Sequence, residues 1–451
     1  MFTDFTKKGV KIMALYLPGV HTPHRKHTAK SPVARFHTVQ TVTIPMAMHI
    51  GKPAVPTVKA GDFVKVGTKI GEADGYISSN VYASVSGKVT KLQEFLLSNG
   101  TVTTAVVIES DGEMAVDEAV KPPVVNTAKE LVAAVKDSGI VGLGGAGFPT
   151  HVKLDVDPAR IEYLVINGAE CEPYVTSDTV TMTTRADDMA FALSELQRLL
   201  GIRRVIIGVE NNKKDAVATM NTMAASLTAC EVTVRALPAK YPQGGEKVLV
   251  YHTTGRKIAT GKLPIDVGCV VLNCTTLAAV GAYLRTGMPL VEKCVTVDGG
   301  AVKAPQNVIV PIGTSMEDMF NFCGGLNAHP AKLLYGGPMM GVAVPDASAP
   351  ILKNTNAILA LTEKEVRIPK TTACIRCGAC INTCPFGLAP AAISRAYAQG
   401  DAEALNELSV DTCMECGCCS FVCPANRPLV QNNKLAKQFL RDQRSKEGNN
   451  A

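Results

Sequence analysis

The pattern C-x2-C-x2-C-x3-C-P occurs twice near the C-terminus, as Cys374-Ile-Arg-Cys377-Gly-Ala-Cys380-Ile-Asn-Thr-Cys384-Pro385 and as Cys413-Met-Glu-Cys416-Gly-Cys-Cys419-Ser-Phe-Val-Cys423-Pro424. In such a run the first three cysteines hold corners of an iron–sulfur cube, and the fourth ligates the other cluster of the pair. This exchange predicts one [4Fe–4S] cluster on Cys374, Cys377, Cys380 and Cys423, and a second on Cys413, Cys416, Cys419 and Cys384. Structural zinc sites are the alternative, but they use separated C-x2-C pairs and need neither the third cysteine nor the final Cys-Pro. Cys418 is surplus to the pattern, and we expect it to be a packed thiol.

Composition indicates a globular protein of several domains. The chain has 451 residues, of which 46% are hydrophobic and 19% are charged. Fifteen cysteines, eight of them in the repeated motif, favour a reducing cytosol over a disulfide framework. No run of about 18 apolar residues occurs, so we expect no transmembrane segment. The first thirty residues have no apolar signal core, so we do not expect export.

Charge and aromatic content narrow the choice of partners. Tryptophan is absent and aromatic residues make up 5%, which argues against a nucleic-acid stacking platform. The net charge is +6, and basic residues gather in residues 1–30 and in the tail after Pro424. A basic tail can contact an acidic partner or an anionic membrane surface, or it can be a solvated face. The sequence leaves these alternatives open.

The N-terminal part reads as short β segments separated by glycine turns. The predicted strands are 41–45, 63–70, 81–85, 88–92 and 101–109. Residues 58–71 and 81–89 resemble the two halves of the barrel-sandwich fold of biotinyl and lipoyl carrier domains. The hairpin at 73–80 contains no lysine. We therefore expect a structural or docking module without a prosthetic arm.

Three histidines precede this module, namely His21, His24 and His27. Their spacing permits a metal site on one side of a helix, but Pro23 lies inside the run and the flanks are loop-like. The other interpretation is an extended loop packed along another domain.

From about residue 125 the pattern changes to alternating strands and helices. Thr127 and Glu130 form a predicted capping box at the start of a helix. Strands are predicted at 161–166, 205–209, 231–236 and 269–272, and helices near 186–200, 212–227 and 275–285. This alternation predicts an α/β domain with a mainly parallel sheet. Residues 291–325 have β character with a short helix at 315–322, and helices are predicted at 390–398 and 401–408 between the cysteine motifs.

A glycine-rich loop lies between the first predicted helix and the first strand of this domain. It reads Gly142-Leu-Gly144-Gly145-Ala-Gly147-Phe148-Pro149-Thr150 and contains G-x-G-x-x-G. An ordinary dinucleotide fingerprint follows a strand and opens a helix, whereas this loop follows a helix. Its backbone amides can still approach a phosphate or a flat ring closely. A plain tight connection is the alternative.

Four ordered patches, at 142–153, 163–173, 241–246 and 271–276, resemble the NADH- and FMN-binding subunit of respiratory complex I. This resemblance implies that non-covalent FMN is held by Gly142, Gly144, Lys153, Asn167, Glu170, Tyr241, Gly244 and Asn273, with Gly145 and Gly147 in the same loop. It also implies that Phe148, Glu172 and Glu246 face the nicotinamide nucleotide, with Phe148 stacked on a ring. The chain departs from that family at Leu143, Ala169 and Gly245. Glu170, Glu172 and Asp178 would otherwise read as a solvated acidic loop.

The carrier-like N-terminus, the flavin loop and the eight-cysteine C-terminus together resemble the RnfC family, over nearly the whole chain. The resemblance implies a multidomain α/β and β protein. Its expected parts are a leading segment with an unmodified barrel-sandwich domain at 1–115, a Rossmann-like α/β domain for FMN and NADH at 120–290, a soluble-ligand-binding β-grasp domain with return strands at 291–361, and a helical ferredoxin-like domain with two [4Fe–4S] clusters and a basic tail at 362–451.

The function implied is that of a peripheral subunit of the Rnf ferredoxin:NAD oxidoreductase complex, at the cytoplasmic face of the cell membrane. NAD(H) exchanges hydride, iron–sulfur clusters carry single electrons, and a flavin converts between the two. No general base is needed, so no catalytic residue is predicted. Other Rnf subunits and, indirectly, ferredoxin are the expected partners, and the membrane subunits would move Na+ or H+. Two alternatives are a soluble RnfC-like donor to a cytosolic reductase and an iron–sulfur relay that has lost its flavin.

Overall fold

The structure is a computed structural model that describes residues 16–366 and 369–449, with side chains up to residue 446 in the last helix. Part of the basic N-terminal segment, with Lys7, Lys8 and Lys11, and the last two residues of the basic tail lie outside the described residues. Within the described parts, no helix is both long and apolar enough to cross a membrane.

The N-terminal domain is built from two small antiparallel sheets. The strand β1 Ala34–Arg35 precedes this domain, whose own strands are β2 Thr41–Pro45, β3 Val55–Pro56, β4 Phe63–Val64, β5 Lys69–Glu72, β6 Val81–Tyr82, β7 Gly87–Leu96 and β8 Val102–Ser110. The sheets have the orders β2-β8-β7-β4 and β3-β5-β6, whereas β1 belongs elsewhere. Alternate side chains such as Val42, Ile44 and Ile108 are buried between the sheets. The strand predicted at 63–70 is wrong as one element, because a turn with Gly67 at φ +92° separates β4 from β5. The strand predicted at 81–85 is shorter.

The second domain contains a parallel sheet with the strand order β11-β10-β9-β12. Its elements are α1 Ala128–Asp137, α2 Thr150–Leu154, β9 Tyr163–Gly168, α3 Ser177–Thr184, α4 Ala186–Leu200, β10 Arg204–Glu210, α5 Lys214–Ser226, β11 Glu231–Leu237, α6 Glu246–Thr254, β12 Cys269–Asn273 and α7 Cys274–Thr286. The predicted strands and helices are present within about two residues, and the Thr127–Glu130 capping box is formed. The helices α2, α3 and α6 were not predicted.

The third domain has a mixed sheet with the order β1-β14-β13-β17-β15-β16. Its own elements are β13 Glu292–Asp298, β14 Gln306–Pro311, α8 Met316–Phe322, β15 Lys332–Tyr335, β16 Val342–Val344 and β17 Ala357–Leu361. Val295, Val308 and Phe320 are buried in its core. The strand β1, from the leading segment, pairs in parallel with β14, so the sheet is completed by residues far away in the chain.

The C-terminal domain is helical around the two cysteine motifs. Its helices are α9 Ala379–Asn382, α10 Pro390–Gln399, α11 Ala402–Glu407, α12 Cys418–Phe421 and α13 Leu429–Asn449. Ile393, Leu405 and Leu440 are buried where α10, α11 and α13 meet. The basic tail is thus a helix with one face in this core, and Arg444 donates to Asp411 at 2.7 Å.

Candidate functional site

The glycine-rich loop is held by parts of the chain that surround it. The amide of Leu143 donates to Oγ1 of Thr276 at 2.9 Å, and the Leu143 carbonyl accepts from Nζ of Lys293 at 2.6 Å. The carbonyl of Gly145 accepts from Asn354 at 2.8 Å. The N-terminal domain contributes the Ile50 amide, which donates to the Gly147 carbonyl at 3.0 Å. Hydrogen bonds from the first three domains therefore hold the loop.

Two adjoining cavities lie beside this loop at the carboxyl ends of β9 and β12, the edge where open α/β sheets bind ligands. Their volumes are about 470 and 530 Å³, which suits small-molecule cofactors. They share a wall made of Gly144, Gly145, Ala146, Asn167, Glu246 and Asn273. All thirteen residues predicted from the sequence to contact FMN or the nucleotide line one cavity or both.

The first cavity is mainly apolar. Gly142, Gly147, Phe148 and Lys153 line it, with aliphatic side chains from Leu263 to Ile265 across from them. Phe148 is half-buried. Nζ of Lys153 donates to Glu246 at 2.8 Å and to the Val271 carbonyl at 3.2 Å, so Lys153 and Glu246 form one ion pair at the shared wall.

The two asparagines at the strand ends are neighbours in the sheet, since Asn273 is the register partner of Asn167. Asn273 caps α7, because its Oδ1 accepts from the amides of Thr275 and Thr276 at 2.9 and 3.2 Å. Asn167 donates to the Gly244 carbonyl at 2.9 Å. A Cβ on Gly144 would lie 2.4 Å from Nδ2 of Asn273, so only glycine allows the loop to approach this closely.

The second cavity is lined by the acidic loop after β9, residues 170–175, and by the turn at Tyr241 and Gly244. Glu170 is buried and accepts from the Asp178 amide at 2.8 Å and from Lys213 at 3.2 Å. Burial raises the pKa of Glu170, but Lys213 and Lys26 outweigh that effect and hold its pKa below the ordinary value. Burial and the nearby Glu170 raise the pKa of Asp178. The alternative interpretation of these acids as a solvated loop does not hold, because Glu170 and Asp178 are buried.

Glu172 is held by a loop of the third domain. Its two carboxylate oxygens accept from the amides of Met339 and Met340 at 3.0 and 2.8 Å. Burial raises the pKa of Glu172 to about 7, against the opposing effect of these two hydrogen bonds. Residues 336–341 thereby become part of the cavity wall, a contribution that no local sequence motif indicated.

The three departures from the complex I family are compatible with this packing. Leu143 points into the core and is 1% exposed. Ala169 is buried beside Gly244, where a Cβ on Gly244 would come within 2.3 Å of the Ala169 carbonyl. A Cβ on Gly245 would lie 2.3 Å from Cε of Met414, so the space of the missing side chain is taken by the cluster domain.

The eight motif cysteines surround two separate cavities. Cys374, Cys377, Cys380 and Cys423 line one of about 520 Å³, and the first two of these are exposed. Cys384, Cys413, Cys416 and Cys419 line the other, which is more enclosed. The structure thus brings together the two sets that the ligand exchange requires, while the assignment of ligands stays a prediction. Cys418 is buried, lines the enclosed cysteine cavity and packs against Tyr241.

Within the described residues, no group of three or more His, Cys, Asp or Glu side chains is arranged to hold a metal ion. Of the N-terminal histidines, His27 contacts Asp298 at 3.0 Å and His24 faces Asn212 at 3.4 Å. They lie in an extended segment packed along other domains.

The second cavity beside the glycine-rich loop, which is lined by Glu170 and Tyr241 and is called the flavin-like cavity below, directly neighbours the enclosed cysteine cavity. Met414 lines both. Tyr241 lines the former, and its hydroxyl donates to the Cys416 carbonyl at 2.7 Å. Val20, Met339 and Cys418 pack into the same apolar cluster. One layer of side chains therefore separates the two cavities.

Four families match successive parts of the chain. They are the RnfC barrel sandwich hybrid domain at 16–113, the Nuo51 FMN-binding domain at 135–282, the SLBB domain at 294–343 and the 4Fe-4S dicluster domain at 366–424. The chain is thus a multidomain α/β and β protein with these four kinds of domain.

Two curated relatives and one solved structure illustrate the similarity. The chain is 40% identical over 384 residues to the RnfC-type subunit of the proton-translocating ferredoxin:NAD(+) oxidoreductase complex of Clostridium ljungdahlii, and the alignment covers 83% of each chain. It is 41% identical over 388 residues to the corresponding subunit of the Na(+)-translocating complex of Acetobacterium woodii, covering 84% of this chain and 86% of that one. The NAD+-reducing [NiFe]-hydrogenase in its air-oxidized state matches with a TM-score of 0.49 at 20% identity, over 71% of this chain and 64% of that chain.

Relatives at this level of identity, aligned over most of both chains, together with the ordered domain matches, mean that the chain belongs to the RnfC family of ion-translocating ferredoxin:NAD(+) oxidoreductase complexes.

Proposed function

We propose that this protein is the peripheral electron-transfer subunit of an Rnf complex, which exchanges hydride between NAD(H) and FMN and passes single electrons through two [4Fe–4S] clusters. The observation that carries the proposal is the contact between two cavities: Met414 lines both the flavin-like cavity and the enclosed cysteine cavity, and Tyr241 of the former donates to the carbonyl of Cys416 in the latter. A hydride site next to a one-electron site is the arrangement that this conversion requires.

FMN, when bound, supplies the conversion between two-electron and one-electron chemistry. Its proposed holders are Gly142, Gly144, Gly145, Gly147, Lys153, Asn167, Glu170, Tyr241, Gly244 and Asn273. The close approach of Gly144 to Asn273 and the open space beside Gly145 support a flat ligand against this loop. Phe148, Glu246 and Glu172 are proposed for the nicotinamide nucleotide. Because Glu172 holds the loop 336–341, we assign it to the wall of the nucleotide site.

For the clusters we propose Cys374, Cys377, Cys380 and Cys423 as one ligand set, and Cys413, Cys416, Cys419 and Cys384 as the other. The second set adjoins the flavin-like cavity, and the first is nearer to solvent. We therefore assign the second set to electron exchange with FMN and the first to exchange with a partner protein of the complex.

The finer fold assignments belong to the same proposal. The parallel sheet of the second domain supports a Rossmann-like fold, the mixed sheet with α8 supports a β-grasp fold, and α10, α11 and α13 support a helical two-cluster ferredoxin. We also propose that the protein sits at the cytoplasmic face of the membrane, attached through the other Rnf subunits.

The test is an anaerobic titration with NADH of protein reconstituted with iron, sulfide and FMN, followed by absorption and EPR spectra. We expect the flavin absorption to bleach and cluster signals to appear in the same titration. Failure to retain FMN, or FMN that NADH does not bleach, would contradict the proposal and leave a flavin-free relay.

A further inference from the structure

A short strap, residues 16–31, runs past the flavin-like cavity from the cluster domain to the third domain. The Gly19 carbonyl accepts from Oγ1 of Thr383, next to Cys384, at 3.0 Å. Val20 and Tyr241 exchange two backbone hydrogen bonds of 2.8 and 2.9 Å. His27 reaches Asp298 on β13 at 3.0 Å. The strap therefore contacts the cluster domain, the second domain and the third domain. It lies outside residues 135–282, which match the FMN-binding domain.

Lys26 is the strap residue whose ammonium group binds the backbone of the acidic loop. Its Nζ donates to the carbonyls of Glu170 at 2.9 Å and Glu172 at 2.7 Å, and also to the carbonyl of Val175. An ammonium group has three N–H donors, so all of them are used. The three acceptors are main-chain atoms of a single loop that has left the sheet after β9 and has no strand partner of its own.

This loop needs an external support. Tyr174 has a φ of +68°, a conformation that is unfavourable for a residue with a bulky side chain. The Tyr174 amide donates to the His24 carbonyl of the strap at 3.0 Å. Lys213, which precedes α5 of the second domain, also donates to the Glu170 carbonyl, at 3.0 Å. Two lysines and the strap backbone thus set the path of the loop that carries Glu170 and Glu172 to the cavity.

We propose that Lys26 is a positioning residue for the flavin and nicotinamide site: its ammonium, delivered from outside the flavin domain, fixes the loop at 170–175 in the shape that binds cofactor and nucleotide. The proposal rests on the function proposed above. Because the acceptors are carbonyls, the role requires an N–H donor at this place and cannot be met by an apolar side chain of the same length.

The test compares Lys26→Met with the wild type and with Lys30→Met, which removes an exposed lysine from the same strap. Hydrogen–deuterium exchange of the peptide at 168–176, in protein without FMN, measures the loop itself. FMN affinity by fluorescence titration, and KM and kcat for NADH, measure the site. Lys26→Arg, which keeps a charged donor, is the rescue variant.

For Lys26→Met we expect faster exchange in the 168–176 peptide, an FMN dissociation constant raised about ten-fold or more, and a KM for NADH raised more than kcat is lowered. Lys30→Met should behave as the wild type, and Lys26→Arg should lie between. Should Lys26→Met fail to fold, Lys26→Ala, which also removes the N–H donor, replaces it under the same criteria.

Unchanged exchange in Lys26→Met would overturn the proposal, and so would faster exchange with unchanged FMN and NADH constants. If the wild type itself bound no FMN, the proposed function would fail. The exchange data from the same samples would then still decide whether Lys26 fixes the loop.

Discussion

Two adjacent glycines of the glycine-rich loop are required for different reasons. A Cβ on Gly144 would lie 2.4 Å from Asn273, whereas a Cβ on Gly145 would have no atom of the described residues within 4 Å. Gly144 therefore serves the packing of the loop against α7, and Gly145 leaves space in the wall that the two cavities share. Substitutions at these two positions can therefore distinguish the contribution of the loop to stability from its contribution to ligand binding.

For Gly145→Ala we expect the Tm of the FMN-free protein to stay within about 2 °C of the wild type, because the methyl group meets no neighbour. We expect the FMN dissociation constant to rise about ten-fold, because the same methyl group enters the cavity. Thermal denaturation and fluorescence titration give the two quantities. Gly144→Ala is the matched control and should lower both stability and affinity. Wild-type FMN binding by Gly145→Ala would mean that the cofactor does not approach this face.

Among the elements, the two cysteine motifs fold alike. Gly378, with φ +76°, precedes α9, and Gly417, with φ +80°, precedes α12. Each short helix leads to the last cysteine of its motif, Cys384 or Cys423, which lines the other motif's cavity. The two cavities thus depend on both motifs at once.

Cys423→Ala should therefore damage the same cluster as Cys374→Ala, and Cys384→Ala the same cluster as Cys413→Ala. Iron content and EPR spectra of the reduced proteins are compared in these pairs, with Cys418→Ala as the control that keeps both clusters. Cys384→Ala should also block electron exit from FMN while NADH still bleaches it, because that cluster adjoins the flavin-like cavity. Matching spectra for Cys423→Ala and Cys413→Ala would refute the exchange of ligands.

The sequence predicted the parallel sheet well because β9, β10 and β12 contain continuous apolar runs and amphipathic helices lie between the strands. It missed α3 and α6, whose sequences, Ser-Asp-Thr-Val-Thr-Met-Thr-Thr and Glu-Lys-Val-Leu-Val-Tyr-His-Thr-Thr, are rich in β-branched residues with weak helix propensity. It missed α13 because the sequence of this helix is mainly polar. Only a narrow face, with Ala436 and Leu440, is buried, so the apolar periodicity is weak. The pairing of β1 with β14 joins residues far apart in the chain, and no local pattern encodes such a contact.

In the candidate site too, local motifs were predictable from the sequence, whereas contacts between residues far apart in the chain were not. The glycines, asparagines and acids that line the cavities follow one another in short motifs, so resemblance could locate them. Lys26, Lys293 and the loop at 336–341 come from other domains and act through backbone groups. Their sequence surroundings carry no motif, so only the folded chain identifies them.

At the scale of the whole molecule, Lys353 joins three parts of the structure. It is fully buried, and its Nζ donates to Oγ of Ser79 at 3.1 Å, to the Gly139 carbonyl at 2.8 Å and to the Asn80 carbonyl. Residues 79 and 80 belong to the N-terminal domain and Gly139 follows α1, while Lys353 precedes β17 of the third domain. Burial lowers the pKa of Lys353 to about 7.

This burial gives the stability of the protein a defined pH dependence. Between the lowered pKa of about 7 and the ordinary value of 10.5, the unfolded chain binds more protons at Lys353 than the folded chain does. Stability from this group therefore rises with pH across that window, by at most about 1.4 kcal/mol per pH unit. We expect the difference in Tm between the wild type and Lys353→Met to shift in favour of the wild type from pH 7 to pH 9 (roughly the lower half of the window). Parallel Tm curves for the two proteins would contradict this.

The strand β1 has a consequence for how the protein can be divided. A fragment that begins at residue 291 keeps β13 to β17 but exposes the edge of β14 that β1 covers in the intact chain. Unpaired strand edges recruit other chains, so such a fragment is expected to aggregate unless residues 16–36 are supplied with it.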